Sequence, residues 1–217
     1  MRRNNPPILP EKPTLEYEME LWGEGFRIIA GLDEAGRGAW AGPVYAAAVV
    51  LPNDERICGL LHGVRDSKKM TAAARERWQE CIKSTSVAWA VGSASEREID
   101  RVGIVGATRA AMRRALKGLL YQPDYLLIDY ISIEKCGCPQ LSLPYGDCLS
   151  LSVAAASILA KTSRDAFMVS LNKKYPGYNF AQHKGYGTPE HRELLHRNGV
   201  SAAHRRSYRP VKERFEI

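Results

Sequence analysis

The segment Arg27-Ile28-Ile29-Ala30-Gly31-Leu32-Asp33-Glu34 constrains this chain more than any other. An apolar run of this kind reads as a buried strand, yet it ends in two adjacent carboxylates. Unpaired charge out of water is expensive, so acids placed there need a compensating partner. The next stretch, Ala35-Gly36-Arg37-Gly38-Ala39-Trp40-Ala41-Gly42-Pro43-Val44, carries three glycines within seven residues. Glycines at that density mark backbone that turns sharply or approaches something closely. Together the two segments read as an acidic metal site beside a main-chain clamp for a polar polymer.

The chain has 217 residues and is 45% hydrophobic, enough for one compact domain with a small appendage. No apolar stretch approaches the ~20 residues of a membrane span, and Met1-Arg2-Arg3-Asn4-Asn5-Pro6-Pro7 lacks the apolar region of a signal peptide. A cytoplasmic protein with no membrane partner is expected, and monomer is the simplest state. The five cysteines fit reduced thiols. Cys136-Gly137-Cys138 with Cys148 is a weak zinc set, because the pair is too closely spaced and has no second pair.

The net charge of +7 is unevenly placed. Residues 161–217 hold twelve Lys/Arg against five Asp/Glu, while residues 1–160 hold nineteen of each. All of the excess therefore lies in the last quarter, as expected of a phosphate-binding surface beside a neutral core, or of a solvated basic tail.

Residues 1–13 read as a loose proline-rich arm, and Leu15–Trp22 as a short helix. Strands are expected at Arg27–Asp33, Val44–Leu51, Val87–Gly92, Tyr125–Asp129 and, more weakly, Leu141–Leu143. Thr71 is placed to cap a helix through Ser84, Ser95 to cap a helical stretch, and a clearer helix runs from Val105 to Leu119. The small residues from Val153 to Ala160 begin a long helix able to lie close to a sheet. A last helix starts at Thr188-Pro189. The expected fold is α/β: a mixed sheet flanked by helices, then a basic helical C-terminal segment. Boundaries fall at 1–25 for the arm and short helix, 26–165 for the catalytic core and 166–217 for the basic segment.

Asp33 and Asp129 both close apolar runs, so both belong at sheet ends, and Asp147 stands just before the long helix. With Glu34 they form a set of hard oxygen ligands for Mg²⁺ or Mn²⁺. Successive strand residues face opposite ways, so Asp33 and Glu34 share a site only if Ala35-Gly36 ends the strand. Otherwise Glu34 acts through its carbonyl or an outer-sphere water. Two of the acids have a plainer alternative, Asp147 as a helix cap and Asp129 as an acid in a turn, whereas the apolar run before Asp33-Glu34 gives no other reason for acids there.

At these residues the chain resembles type 2 ribonuclease H, the ribonuclease HII family, from about Arg27 to Arg214. The motifs are Gly31-Leu32-Asp33-Glu34-Ala35-Gly36-Arg37-Gly38, Ala41-Gly42-Pro43-Val44, Asp66-Ser67-Lys68-Lys69, Ile128-Asp129 and Gly146-Asp147. They continue in Ala154-Ala155-Ala156-Ser157-Ile158-Leu159-Ala160-Lys161, His183-Lys184-Gly185-Tyr186-Gly187-Thr188 and His204-Arg205-Arg206-Ser207-Tyr208. The resemblance implies a ribonuclease H-like core and a metal-dependent endonuclease of the RNA strand in RNA–DNA hybrids. It also implies nicking 5′ of single ribonucleotides in duplex DNA, leaving 3′-hydroxyl and 5′-phosphate ends, for ribonucleotide removal and RNA primer processing.

The family's four acids fall on Asp33, Glu34, Asp129 and Asp147, which implies two ions in the substrate complex. Gly36-Arg37-Gly38 matches the backbone that meets the ribose 2′-hydroxyl, a task suited to bare glycine backbone. Arg37 has the alternative of pairing with a nearby acid. Tyr186 matches the ring that packs on the deoxyribose after the ribonucleotide; alone, it reads as a cover for the core edge. Lys184, Arg205 and Arg206 are candidate phosphate contacts, with Lys68 and Lys69 weaker ones. Two departures stand out. Tyr130 takes the place of a glycine usual after the third acid, and Ala39-Trp40 replaces Pro-Leu, so groove shape and preference among hybrids are the features in question. A ribonuclease HIII-like enzyme and a non-catalytic binding module are the rivals. The former usually carries an N-terminal domain, for which ~25 residues are too few; the latter has no use for four acids near phosphate.

Overall fold

The computed structural model describes residues 9–215. The expected arm at 1–13 thus lies mostly outside the described residues. Five strands form one sheet in the order β3-β2-β1-β4-β5: β1 (Ile29–Ala35), β2 (Val44–Val50), β3 (Ala88–Ala94), β4 (Tyr125–Asp129) and β5 (Gln140–Leu143). The pairs β1–β2 and β2–β3 are antiparallel, while β1–β4 and β4–β5 are parallel. This is the mixed sheet flanked by helices that the sequence leads one to expect.

The helices among the described residues are α1 (Glu16–Gly23), α2 (Arg56–Leu60), α3 (Ala72–Thr85), α4 (Glu96–Lys117), α5 (Gly146–Leu149), α6 (Leu151–Lys174), α7 (Phe180–His183), α8 (Pro189–Asn198) and α9 (Arg209–Phe215). Their starts follow local chemistry. Thr71 accepts from the Ala74 amide, Thr188 from the His191 amide, and Ser95 forms a reciprocal capping box with Glu98. The two helical stretches expected after Ser95 abut as α4, interrupted at Gly103 (φ 72°), where glycine takes a conformation other residues resist. None of these helices is long and apolar enough to cross a membrane.

One face of the sheet carries α4: Ala30, Leu32, Ala46 and Ala48 pack on Ala107, Ala111 and Met112. The other carries α6, whose Ala154, Ala155 and Ile158 meet Ala47, Val49 and Ala35. Small residues on both sides let α6 approach closely. The approach is closest at Gly31, where a Cβ would stand 2.3 Å from the Ser152 carbonyl carbon. Gly31→Ala must push α6 off β1, and with it the acids that α6 covers. Its expected cost is about 2–3 kcal/mol, as for other overpacked cores, to be read as a loss of urea stability; an unchanged midpoint would refute this packing.

Because α6 is continuous through residue 174, the boundary expected at 165/166 falls inside a helix. The basic segment therefore grows out of the core instead of standing beside it. It also folds back: Ala41 and His204 form an isolated bridge, and the Arg205 amide donates to the Trp40 carbonyl at 2.8 Å.

Candidate active site

Strand β1 ends at Ala35, and Gly36 lies outside it, as a site shared by Asp33 and Glu34 was expected to require. One carboxylate oxygen each from Asp33, Glu34 and Asp129 lies within 4.8 Å of the others. Pairing with β4 explains this. It stops at Leu32↔Ile128, leaving the β4-side edge of β1 open from Asp33 onward. Side chains from opposite faces can reach round an open edge, and Asp129, at the end of β4, meets them there.

Asp33 is 2% exposed, and its Oδ1 accepts from the Glu34 amide at 2.6 Å. Its Oδ2 and the Oε2 of Glu34 are buried without a hydrogen-bond partner among the described residues. Burial first, then the charges of Glu34 and Asp129, hold the Asp33 carboxyl well above the usual carboxylate range. Burial also raises Glu34, against the pull of Arg37, whose Nη1 stands 3.3 Å from Oε1. Arg37 thus does pair with a nearby acid. Asp129 is pushed up to about 6, chiefly by burial, although it accepts the Gly146 amide at 2.8 Å. Crowded acids with raised affinity for positive charge, two of them with idle oxygens, suit a hard divalent cation.

Asp147 is set slightly apart from this trio. It lies in α5 and is buried, but the cap of α6 is the Ser150 side chain, which removes the capping reading of Asp147. Its Oδ2 is 3.5 Å from Lys68 Nζ, and it groups with Asp66 and Cys148. Burial works against the Lys68 ammonium, yet the charges of Asp147 and Asp33 raise its affinity for a proton. The Lys69 side chain lies outside the described residues. Cys136 and Cys138 join no metal-holding group among the described residues, and Cys148 lies apart from them, so the zinc set is not assembled.

The glycine segment after β1 is braced from behind by two buried arginines. Arg164 on α6 donates to the carbonyls of Pro43 (3.0 Å), Lys184 (2.9 Å) and Ala41 (3.1 Å). Gly36 (φ 94°) packs directly on it: a Cβ there would lie 1.9 Å from Arg164 Nε. Arg205, expected at the surface as a phosphate contact, is 0% exposed instead. It donates to the carbonyls of Gly42 (2.9 Å) and Arg37 (2.9 Å) and to the Tyr208 hydroxyl. Burial lowers the proton affinity of both guanidiniums. Arg205 is therefore a strut for the Gly36-Arg37-Gly38 turn, and Gly38 is left exposed at its tip.

Tyr186 is half-buried, its ring 5.2 Å from the Arg164 guanidinium and 5.4 Å from Lys161 Nζ, which back the ring with positive charge. Lys184 lines a cleft with Arg75, Thr162 and Asp165. Arg206 is exposed, and its amide donates to Asp100. Trp40, half-buried, lies beside the Tyr186 loop. Its ring packs against Gly187, where a Cβ would lie 2.2 Å away, and against His191 at 5.5 Å.

Arg164 escaped sequence reading, though a signal was present: it continues the buried stripe of Ser157 and Ala160 toward Met168 at helical spacing. Lys161, His191 and His204 were also missed as parts of the Tyr186 support.

A family model described as Ribonuclease HII matches residues 30–211. Ribonuclease HII of Myxococcus xanthus is 52% identical over 203 residues, which cover 93% of this chain and 68% of that one. Ribonuclease HII of Roseiflexus castenholzii is 51% identical over 202 residues, covering 92% and 89%. Among solved structures, ribonuclease H2 from Pyrococcus horikoshii superposes with a TM-score of 0.74 at 26% identity, over 87% of this chain and 97% of that one.

Proposed function

The chain belongs to the ribonuclease HII family, which makes it an endonuclease of RNA–DNA hybrids, and we propose that it also nicks duplex DNA 5′ of a single embedded ribonucleotide. The observation that carries the chemistry is the convergence of Asp33, Glu34 and Asp129 with two buried carboxylate oxygens left over. Asp33, Glu34, Asp129 and Asp147 would hold divalent metal, Mg²⁺ or Mn²⁺, with two ions in the substrate complex. Such ions supply an activated water and charge stabilisation at the departing 3′ oxygen.

The protein's own groups do the rest. The acids would hold those ions at the ends of β1 and β4, where the scissile phosphate has to come to lie. The exposed Gly38 end of the Gly36-Arg37-Gly38 turn offers bare backbone to the 2′-hydroxyl, the group that separates RNA from DNA. Arg205, with Tyr208, holds the Arg37 carbonyl and so fixes that turn. Tyr186 sits where a deoxyribose can pack on its ring, and Lys184, Arg206 and Lys68 offer charge to phosphates. The products are 3′-hydroxyl and 5′-phosphate ends, and the setting is a cytoplasmic monomer serving ribonucleotide removal and RNA primer processing.

A labelled DNA duplex carrying one ribonucleotide, beside an all-DNA control, tests this with Mg²⁺, Mn²⁺ or EDTA. The expected result is a nick immediately 5′ of the ribonucleotide with either ion and none in EDTA or in the control. Cutting confined to continuous hybrids would overturn the single-ribonucleotide reading, and cutting in EDTA would overturn the metal centre.

A further inference from the structure

Two tyrosines flank the acids in conformations that tyrosine resists. Tyr130, directly after Asp129, has φ 59°, and Tyr145, just before Gly146-Asp147, has φ 63°. A bulky residue at positive φ is an outlier, where glycine would sit without strain. At Tyr130 the Ile131 amide donates to the Asp129 carbonyl at 2.6 Å, closing a three-residue turn whose positive-φ form is rare and strained. Backbone bonds hold both segments in place, but neither tyrosine side chain offsets the strain by packing inside the fold. The side chains are 68% and 52% exposed, and among the described residues neither has a ring partner or a side-chain hydrogen bond. Strain of this kind, held beside acids, points outward to something the rings touch.

The topology says what. Tyr130 donates its amide to the Leu143 carbonyl at 3.2 Å, and Gly146 donates to Asp129, so the two tyrosines sit together where β4 and β5 end. In the sheet order, β5 lies on the far side of β4 from β1. Tyr186 lies the other way, since its loop is tied to the segment between β1 and β2 by the Trp40 amide donating to the Gly185 carbonyl at 2.7 Å. The acids therefore stand between Tyr186 and the Tyr130–Tyr145 pair. A cleaved strand with its scissile phosphate over the acids and its 3′ portion at Tyr186 leaves its 5′ portion over the pair.

We propose that Tyr130, assisted by Tyr145, is a substrate-binding contact for the nucleotides 5′ of the scissile phosphate, its ring packing on their sugars. This rests on the function proposed above, which sets the direction of the strand. Aromatic faces grip nucleotides without regard to base, which suits an enzyme that must cut at any sequence.

Steady-state cleavage of a single-ribonucleotide duplex by wild type, Tyr130→Gly and Tyr130→Phe tests the role. Tyr130→Gly removes ring and strain together, so Tm should rise by about 2–4 °C while KM rises about five- to tenfold, with the smaller share of the loss in kcat. Tyr130→Phe keeps the ring and should keep most of the affinity. Cutting the 5′ flank to one nucleotide should erase the difference between wild type and Tyr130→Gly, whereas shortening the 3′ flank should not. An unchanged KM for Tyr130→Gly overturns the proposal, as does a penalty that survives loss of the 5′ flank. If wild type leaves the single-ribonucleotide duplex uncut, that sinks only the reading on which the strand direction rests. The KM comparison then moves to a continuous RNA–DNA hybrid, where an unchanged value still overturns a role for Tyr130.

Discussion

Replacing Asp33 with asparagine is expected to abolish cleavage and, in the metal-free protein, to raise stability. Both effects have one cause. Asp33 is buried against Glu34 and Asp129, and its Oδ2 has no partner among the described residues, so its charge is held against desolvation and repulsion. Asparagine keeps the shape and removes the charge. The metal-free gain should be on the order of 1–3 kcal/mol, or several degrees of Tm for a chain of this size. The sign with pH follows from the raised carboxyl. The folded state binds a proton that the unfolded state does not, so the penalty on wild type is absent below about pH 4 and grows as pH rises. The variant's advantage should thus be greatest near neutrality and vanish in acid. Saturating Mg²⁺ should reverse the order by stabilising wild type alone. Loss of the cation's stabilisation at the phosphate, worth several kcal/mol, corresponds to a rate loss of about a thousandfold or more. Calorimetry of both proteins with Mg²⁺ or EDTA, beside the nicking assay, is the check. A variant less stable than wild type in EDTA, or one that still cuts, would remove Asp33 from its role.

What could be read from the chain in advance was what local chemistry decides. Tyr125–Asp129 is a strand over the residues expected, and Thr71 and Ser95 are caps, because each cap needs only its own side chain and an amide three residues on. The acids were visible because charge at the end of an apolar run has no local reason to be there. What stayed hidden depends on partners far along the chain. Whether Asp33 and Glu34 can meet is decided by where β4 stops pairing with β1, which no residue near them encodes. Arg205 stands in a basic run and reads as surface, yet it is enclosed by the carbonyls of Arg37 and Gly42, more than 160 positions away. The same holds for Arg164, whose stripe on α6 marks it as inward-facing but cannot say that three carbonyls wait there. These guanidiniums tie the basic segment to the glycine turn, so two of the twelve late positive charges shape the site from within.

Acidification should destabilise the fold through the histidines that support the Tyr186 loop. His183, His191 and His204 are all buried, and burial first of all lowers their proton affinity, His191 to about 4 and His204 to about 3. The bonding assigns every ring proton. His204 Nδ1 accepts the Ser201 amide at 3.1 Å, so its proton is on Nε2, which donates to His191 Nε2 at 3.1 Å. His191 then donates from Nδ1 to the Tyr186 carbonyl at 2.9 Å. His183 accepts the Gly185 amide on Nδ1 and donates from Nε2 to the Tyr178 carbonyl. A proton added to His191 would set two N–H groups against each other at the link to His204, beside the cations Lys161 and Arg164 that back Tyr186. The folded affinities are lowered, so the stability they confer is complete above about pH 6.5 and is lost as pH falls toward 4 and then 3. Each histidine costs about 1.4 kcal/mol per pH unit in that window, so His191 and His204 together cost roughly 4 kcal/mol between pH 6.5 and 5. That is a large share of the 5–15 kcal/mol typical of a domain. Urea unfolding in EDTA from pH 7.5 to 5.0 should show this loss in wild type, offset in part by relief of the acid cluster. In His204→Asn the slope should be shallower by about one proton, while stability at pH 7.5 is lower because the link to His191 is gone. Parallel slopes for wild type and variant would mean that the histidines do not set the acid limit.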